Sequence, residues 1–251
     1  MNQIGRAIKA LLRPFIPEAL RAAKVKKVVE AQDAIFATLS PKEAFSLIYE
    51  QKMWGGDEGS DFYSGTGSHN LDLTQSYVAA INDFLSTLKP KAQAVDLGCG
   101  DFNIGKQIRP FCDAYIACDV VPALIERNKK TFIDLEVKFV CIDITTDVLP
   151  IGNVVFIRQV LQHLSNAKII DLLPKIKNFE YLVLTEHMPE SKKFIANRDK
   201  PIGAGIRLGR GRESGVVITA APFNLAVVTE SIICEVPEAG GIIRTTLYRL
   251  K

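Results

Sequence analysis

The stretch AVDLGCGDFNIG, Ala94 to Gly105, decides how the rest of the chain is read. Asp96 ends an apolar run and stands two residues before Gly98, with Gly100 following after Cys99. Glycines placed after a buried strand let the backbone turn tightly and approach a ligand that a side chain would block. A helix opening near Asn103 would point its free N–H groups at that ligand and favour an anion there.

Downstream of this stretch, short apolar runs alternate with helical segments. AQAVDLG, AYIACDV, VKFVCIDI, NVVFI and YLVLTEH read as buried strands, apolar on both faces. Helices are expected near 103–112, 122–133 and 165–178. That alternation predicts an α/β chain with a Rossmann-like, mostly parallel sheet and helices on both faces. After Glu186 the order changes. A Gly/Arg-rich stretch over 197–224 precedes two strands, LAVVTESIICEV and GIIRTTLYRL, joined by the hairpin turn PEAGG.

Upstream, Asp72 to Leu88 has helical spacing, and GGDEGSDFYSGTGSHN (55–70) reads as a loop. Ser40-Pro41 opens a helix, PKEAFSLIYEQKMW, with serine as cap and proline at the first position. Another helical segment covers 18–37, and Pro14 and Pro17 break the one before it. The reading divides the chain into an N-terminal helical extension and lid (1–70) and a cofactor-binding catalytic domain (71–251).

Composition narrows the function. With 251 residues, 47% of them hydrophobic, the chain can bury a core without disulfide or metal. A formal charge of +3 argues against nucleic acid as partner. The five cysteines form no CxxC pair, which disfavours a zinc site and suits a reducing cytoplasm. No run approaches the ~18 apolar residues of a membrane span. Near the N-terminus, Ile4, Ile8, Leu11, Leu12 and Phe15 recur at helical spacing among Arg6, Lys9 and Arg13. Such a basic amphipathic helix packs on its own domain, contacts a second subunit or lies on an anionic membrane surface.

In an open parallel sheet, ligands bind beyond the carboxyl ends of the strands. Asp96, Asp119 and Asp143 hold that place in three successive βα units. Asp119 can accept hydrogen bonds from both hydroxyls of a ribose. Asp143 can accept from the exocyclic amine of adenine, with Val120, Ile142 and Ile144 as apolar walls. A nicotinamide dinucleotide would want a third glycine at position 103, where this chain has Asn103. An acid before the glycines suits the α-ammonium of a methionyl group instead. These residues point to S-adenosylmethionine as cofactor, with S-adenosylhomocysteine as its product.

VDLGCGDFNIG, followed by ACDVV, CIDI and IRQVLQHLS, resembles the class I S-adenosylmethionine-dependent methyltransferases over about residues 92–186. The resemblance implies a seven-stranded sheet whose last strand inserts antiparallel. It also implies that the loop of Gly98, Cys99 and Gly100 carries the methionine carboxylate. WGG, SGTGSH, DLGCGD, VLQHLS and APF, with Ala221 in place of a proline, further resemble small bacterial methyltransferases of polysaccharide or secondary-metabolite pathways.

Methyl transfer needs an aligned acceptor and somewhere for its proton to go. His163, in the element after the fourth strand, is either a general base with a pKa near ~6.5 or a residue packed on the cofactor. Arg158 and Gln159 at the strand tip can orient an acceptor. His187 beside Glu186 offers a base pair or, as a lesser alternative, a metal ligand. The loop of Tyr63, Ser68 and His69 can close over the methionine tail, Ser68 toward the cofactor and His69 toward the substrate. Arg207, among Arg198, Arg210 and Arg212, suits an anionic acceptor or belongs to a solvated loop. The leading expectation is transfer to oxygen of a small molecule or glycan, since His163 offers a base and no NPPY element follows the fourth strand. A nitrogen or macromolecular acceptor, a non-catalytic cofactor binder and a dehydrogenase are the competing readings.

Overall fold

The structure, a computed structural model, describes residues 29–56, 61–191, 193–208, 213–238 and 240–251. Two compact units meet between Thr38 and Leu39. In the first, residues 29–36 are helical, within the segment expected over 18–37, and the Thr38 hydroxyl donates to Ile35 O at 2.8 Å. The basic amphipathic helix around Ile4 to Phe15 lies outside the described residues, as do Arg210 and Arg212.

The second unit is built on seven strands: β1 (Ala92–Leu97), β2 (Cys112–Asp119), β3 (Lys138–Cys141), β4 (Val154–Arg158), β5 (Tyr181–Pro189), β6 (Thr229–Glu238) and β7 (Gly241–Arg249). They form one sheet in the order β3-β2-β1-β4-β5-β7-β6. The first five pair in parallel, while β7 runs antiparallel to both β5 and β6. Residues Val154 to Ile157 are all buried, as a strand covered on both faces requires. β6 alternates weakly and is half exposed, as suits an edge.

Six α-helices are described in this unit: α1 (Pro41–Glu50), α2 (Thr66–His69), α3 (Leu71–Thr87), α4 (Gly105–Ile108), α5 (Pro122–Thr131) and α6 (Asn166–Ile176). A capping box starts α1: Ser40 Oγ accepts from Glu43 N at 3.3 Å, and Ser40 N donates to the Glu43 carboxylate at 2.9 Å. Asn70 and Ser165 cap α3 and α6. α3 packs on β6, and α5 on β2 and β3.

Two elements differ from expectation. The helix expected over 103–112 is a single α-turn followed by a 3-10 turn over Arg109–Phe111. Pro110 explains the break, because it lacks the N–H that would continue the α-helix. Within the loop expected over 55–70, residues 66–69 form the short helix α2. The chain between β5 and β6 contains no helix or strand among the described residues, yet Ile202, Val216, Ile218 and Leu225 are buried.

Register brings the strand tips level. Leu97 of β1 lies beside Cys118 of β2, and Asp119 beside Cys141 of β3. Polar residues at the ends of β1 to β5 therefore share one rim of the sheet.

Candidate active site

The glycine loop after β1 is held from below. Gly98 N and Cys99 N both donate to Cys118 O, at 2.8 and 2.9 Å. Gly98 has φ +83°, and a Cβ there would lie 2.4 Å from Val160 Cγ2. Phe102, fully buried, stacks edge-on against Tyr115, Phe132 and Phe139 at 4.9 to 5.6 Å and pins the loop's far end. The result is a backbone cradle where only glycine fits.

A cavity of about 410 Å³ opens above this cradle. Gly98, Cys99 and Gly100 line it, as do Asp119, Val120, Ile142, Asp143 and Ile144. Asp119 is buried; its Oδ2 accepts from Gly100 N and its Oδ1 from Val121 N, each at 3.1 Å. Burial pushes its carboxyl up to about 6 against those two hydrogen bonds. Each carboxylate oxygen can take a further donor, such as a ribose hydroxyl. Asp143 Oδ1 is occupied by the backbone N–H and hydroxyl of Thr145, at 2.8 and 2.7 Å, which leaves Oδ2 facing no described partner.

The chain before α3, expected as a lid, is held against the glycine loop and the tip of β4. Arg158 is half-buried at the tip of β4; it donates to Gly67 O at 2.6 Å and to Ser68 Oγ at 3.3 Å, and its guanidinium lies 4.9 Å over the Tyr77 ring. Arg158 thus orients the lid. Gln159 also faces it, so closely that a Cβ on Gly67 would fall 2.2 Å from Gln159 Oε1. Asp101 forms a second anchor: its Oδ2 accepts from Ser64 N at 2.9 Å and lies 2.6 Å from His69 Nε2. Asn103 Nδ2 donates to Ser68 O at 2.7 Å. Asp101 was not singled out from sequence, and Asn103 only as the start of a helix and the place of a missing third glycine, although both follow the glycine motif.

Three expected site residues lie off the cavity. Asp96 sits beneath the glycine loop beside a chamber of about 30 Å³, and its Oδ2 accepts from the Tyr115 hydroxyl at 3.0 Å. Burial raises its carboxyl to about 7. His69 is turned to Asp101 and stacks on Tyr63 at 4.4 Å, so it serves the lid rather than facing the acceptor space. Arg207 is 1% exposed and donates to the backbone carbonyls of Arg198 and Leu164. Its guanidinium is used within the protein, so Arg207 is neither an arm open to an anionic acceptor nor part of a solvated loop.

His163 and His187 do line the cavity. His163 is buried in a 3-10 turn over Leu161–His163. Its Nδ1 donates to Gly203 O at 3.2 Å, and its Nε2 faces the Gln162 amide at 3.4 Å. Burial, with Lys200 nearby, lowers its pKa to about 3. A base that weak at neutral pH does not take up a hydroxyl proton well; His163 is better described as a neutral wall, with Trp54 at 5.0 Å. His187 is buried and its Nε2 has no partner; burial lowers its pKa too. The Glu186 carboxylate accepts from Leu161 N and Gln162 N, both at 3.0 Å. Successive residues of a strand point to opposite faces, so Glu186 and His187 do not act as a pair. No cluster of three metal-ligating side chains occurs among the described residues.

The roof joins distant parts of the chain. Trp54 Nε1 donates to Ala204 O at 3.1 Å. The long connection also docks on the turn after β4: Gly203 N and Lys200 Nζ donate to His163 O, and Asn166 Nδ2 donates to Asn197 O. No described helix is long and apolar enough to cross a membrane.

A scan against protein-family models found no match, and a search of the curated proteins found none. Solved structures do match. The N-methyltransferase NodS from Bradyrhizobium japonicum WM9, in complex with S-adenosyl-L-homocysteine, superposes with a TM-score of 0.56 at 13% identity, over 80% of this chain and 97% of that one. Human N-acetylserotonin methyltransferase in complex with SAM gives 0.54 at 16% identity, over 84% of this chain and 60% of that one. A SAM-dependent methyltransferase from Leishmania major gives 0.50 at 16% identity, over 71% and 73%. The sheet order, the glycine cradle beyond β1 and these superpositions agree: the chain has the fold of the class I S-adenosylmethionine-dependent methyltransferases.

Proposed function

We propose that the protein is an S-adenosylmethionine-dependent methyltransferase acting on a small-molecule or glycan acceptor. The observation that carries this reading is one cavity lined by the glycine cradle and by Asp119 and Asp143 at successive strand tips. The cradle, which a Cβ would fill, suits the methionine tail of the cofactor. Asp119 holds the ribose, Asp143 the adenine amine, and Val120 and Ile144 enclose the ring. Two of the solved neighbours carry the cofactor or its demethylated product, which speaks for the same ligand here.

When bound, the cofactor supplies an electrophilic methyl group on a sulfonium. The chain's own residues orient the acceptor and exclude water. Arg158, Asp101 and Asn103 hold the lid over the cradle, and Trp54 with Ala204 closes the roof. A cavity of about 410 Å³ favours a small molecule or the end of a glycan over a folded macromolecule. The expectation of an oxygen acceptor rested on His163 as base and on the lack of an NPPY element after the fourth strand; the depressed basicity of His163 removes the first support and leaves the second.

The test is calorimetric titration with S-adenosylmethionine, S-adenosylhomocysteine and NADH, repeated on Asp119→Ala. Micromolar binding of the two adenosyl ligands, lost in the variant, is expected. Binding of NADH alone would reject the reading.

A further inference from the structure

The cofactor reading uses the tips of β1, β2 and β3, but the cavity continues past them. Beyond β4 it is lined by His187 from β5, Glu238 from β6 and Ile243 from β7. Phe45, Trp54, Ala204 and Ile206 are among its other lining residues, with Gln162 and His163. This end is therefore apolar and aromatic, with its polarity concentrated where β5 and β6 end.

The charges here are unequal. Among the described lining residues, the one fully ionised cation is Arg158, and its guanidinium is engaged by Gly67 O, Ser68 Oγ and Gln159 Oε1. His163 and His187 are both held toward the neutral form by burial. Asp119 and Asp143 serve the cofactor. Glu238 is left, half-buried, with no hydrogen-bond or ion-pair partner among the described residues. It lies close enough to His187 to support that ring's protonation against the larger effect of burial, and its backbone carbonyl faces the ring. His187, 6% exposed, has a ring nitrogen without a partner on the same wall. Two polar groups thus converge on an apolar chamber: His187 Nε2, without a hydrogen-bond partner among the described residues, and the Glu238 carboxylate, without a cationic partner among them. Buried polar groups without partners are rare in native proteins, and a ligand is one way to satisfy them.

Resting on the methyltransferase reading, we propose that Glu238, with His187 beside it, anchors a cationic amine on the acceptor, and that the acceptor's body is apolar or aromatic. A carboxylate rewards an ammonium with a charge-assisted hydrogen bond. It repels a carboxylate or phosphate, so this end of the cavity selects against anionic acceptors. Trp54 and Phe45 receive the apolar body, and an aromatic wall near an ammonium adds a cation–π attraction.

The experiment uses the full chain saturated with S-adenosylhomocysteine and three probes of matched size: 2-phenylethylamine, 2-phenylethanol and 3-phenylpropionate. Trp54 is the chain's sole tryptophan and lines the cavity, so its fluorescence reports occupancy. Wild type should bind the amine about tenfold more tightly than the alcohol, the factor of one charge-assisted contact, and the carboxylate weakest. Glu238→Gln, nearly isosteric, should bring amine and alcohol within about threefold of each other while leaving S-adenosylhomocysteine affinity unchanged. Tightest binding by the carboxylate, an unchanged ranking in Glu238→Gln, or no binding by any probe overturns the proposal. Loss of S-adenosylhomocysteine affinity in that variant overturns it too, since Glu238 would then belong to the cofactor's end. Failure of the wild type to bind S-adenosylhomocysteine at all instead overturns the methyltransferase reading, and the proposal with it.

Discussion

Asp101→Ala should release the lid. Asp101 is 4% exposed, and its Oδ2 accepts from Ser64 N at 2.9 Å while lying 2.6 Å from His69 Nε2. Both partners belong to the segment before α3, Ser64 in its loop and His69 in α2. The other oxygen accepts from Asn103 N at 3.1 Å, a contact inside the glycine loop that is present whether the lid is open or closed. Only the first two contacts count toward closure. A backbone N–H bonded to a carboxylate contributes about 1.5–2 kcal/mol. The His69 side chain is 32% exposed, so screening reduces its share to below about 1 kcal/mol. Together they favour the closed lid by about 2–3 kcal/mol, and their loss lowers the closed-to-open ratio by roughly 30- to 150-fold. Hydrogen exchange reads this directly. The Ser64 amide should exchange faster by about that factor in the variant, and the amides of β1 should not change. S-adenosylhomocysteine affinity should weaken by up to the same factor. Asp101→Asn, which keeps one acceptor oxygen, should fall between. A Ser64 exchange rate within threefold of wild type would show that the carboxylate does not hold the lid.

Three further outcomes are expected. Gly98→Ala combines a φ of +83°, costing about 1–2 kcal/mol for a residue with a Cβ, with a contact at 2.4 Å to Val160, costing about 1–3 kcal/mol. Adding Val160→Ala should recover only the second part in denaturant unfolding; recovery of the whole loss would mean that the backbone conformation is not strained. Asp96 holds its proton in the native protein up to about pH 7 but releases it near 3.8 in the unfolded chain. The native state therefore binds more protons across that window, and stability of the ligand-free protein should fall as pH rises through it, by on the order of 4 kcal/mol. Asp96→Asn, still able to accept from Tyr115, should remove Asp96's share of that slope; what remains belongs to Asp119 and Glu186, whose carboxyls burial raises to about 6 and about 8, and is opposed by His163, which burial keeps neutral. Arg207→Met strands two buried carbonyls and should cost about 3 kcal/mol or more, a Tm fall of about 6–12 °C for a domain of this size. An unchanged Tm would return Arg207 to the role of a surface anion-binding arm.

The sheet was legible because burial on both faces leaves a direct trace, as in VVFI of β4 and LVL of β5. The places of Asp119, the last residue of β2, and Asp143, two residues past β3, on the cavity rim were legible for a related reason, since the end of an apolar run marks where a strand reaches the rim. What escaped were properties set by partners far along the chain. Asp101 stands beside the most readable motif, but its role depends on Ser64 and His69, more than thirty residues earlier. His163 was found by position, whereas its weak basicity comes from the covering segment that carries Lys200 and Gly203. Arg207 was misread because glycine and arginine in a long connection look like a solvated loop. Only the carbonyls of Leu164 and Arg198 reveal it as a buried brace. Glu238 was passed over as part of a hairpin turn, its cavity face being visible only once β5 and β7 are paired.

The position of β7 also bears on how the protein reaches this state during synthesis. β7 is the last strand in sequence but not the last in space: it separates β5 from β6 and pairs with both. Until Gly241 to Arg249 have left the ribosome, β5 presents an open edge with Leu182, Val183 and Leu184 beside it, and β6 has no strand to join. The parallel half, β1 to β5, can assemble as soon as it emerges, but the sheet closes only after translation has passed the hairpin. A nascent chain stalled before residue 241 should therefore present a sticky, unpaired strand to its surroundings. The wall that carries His187, Glu238 and Ile243 would be the last part of the cavity to form.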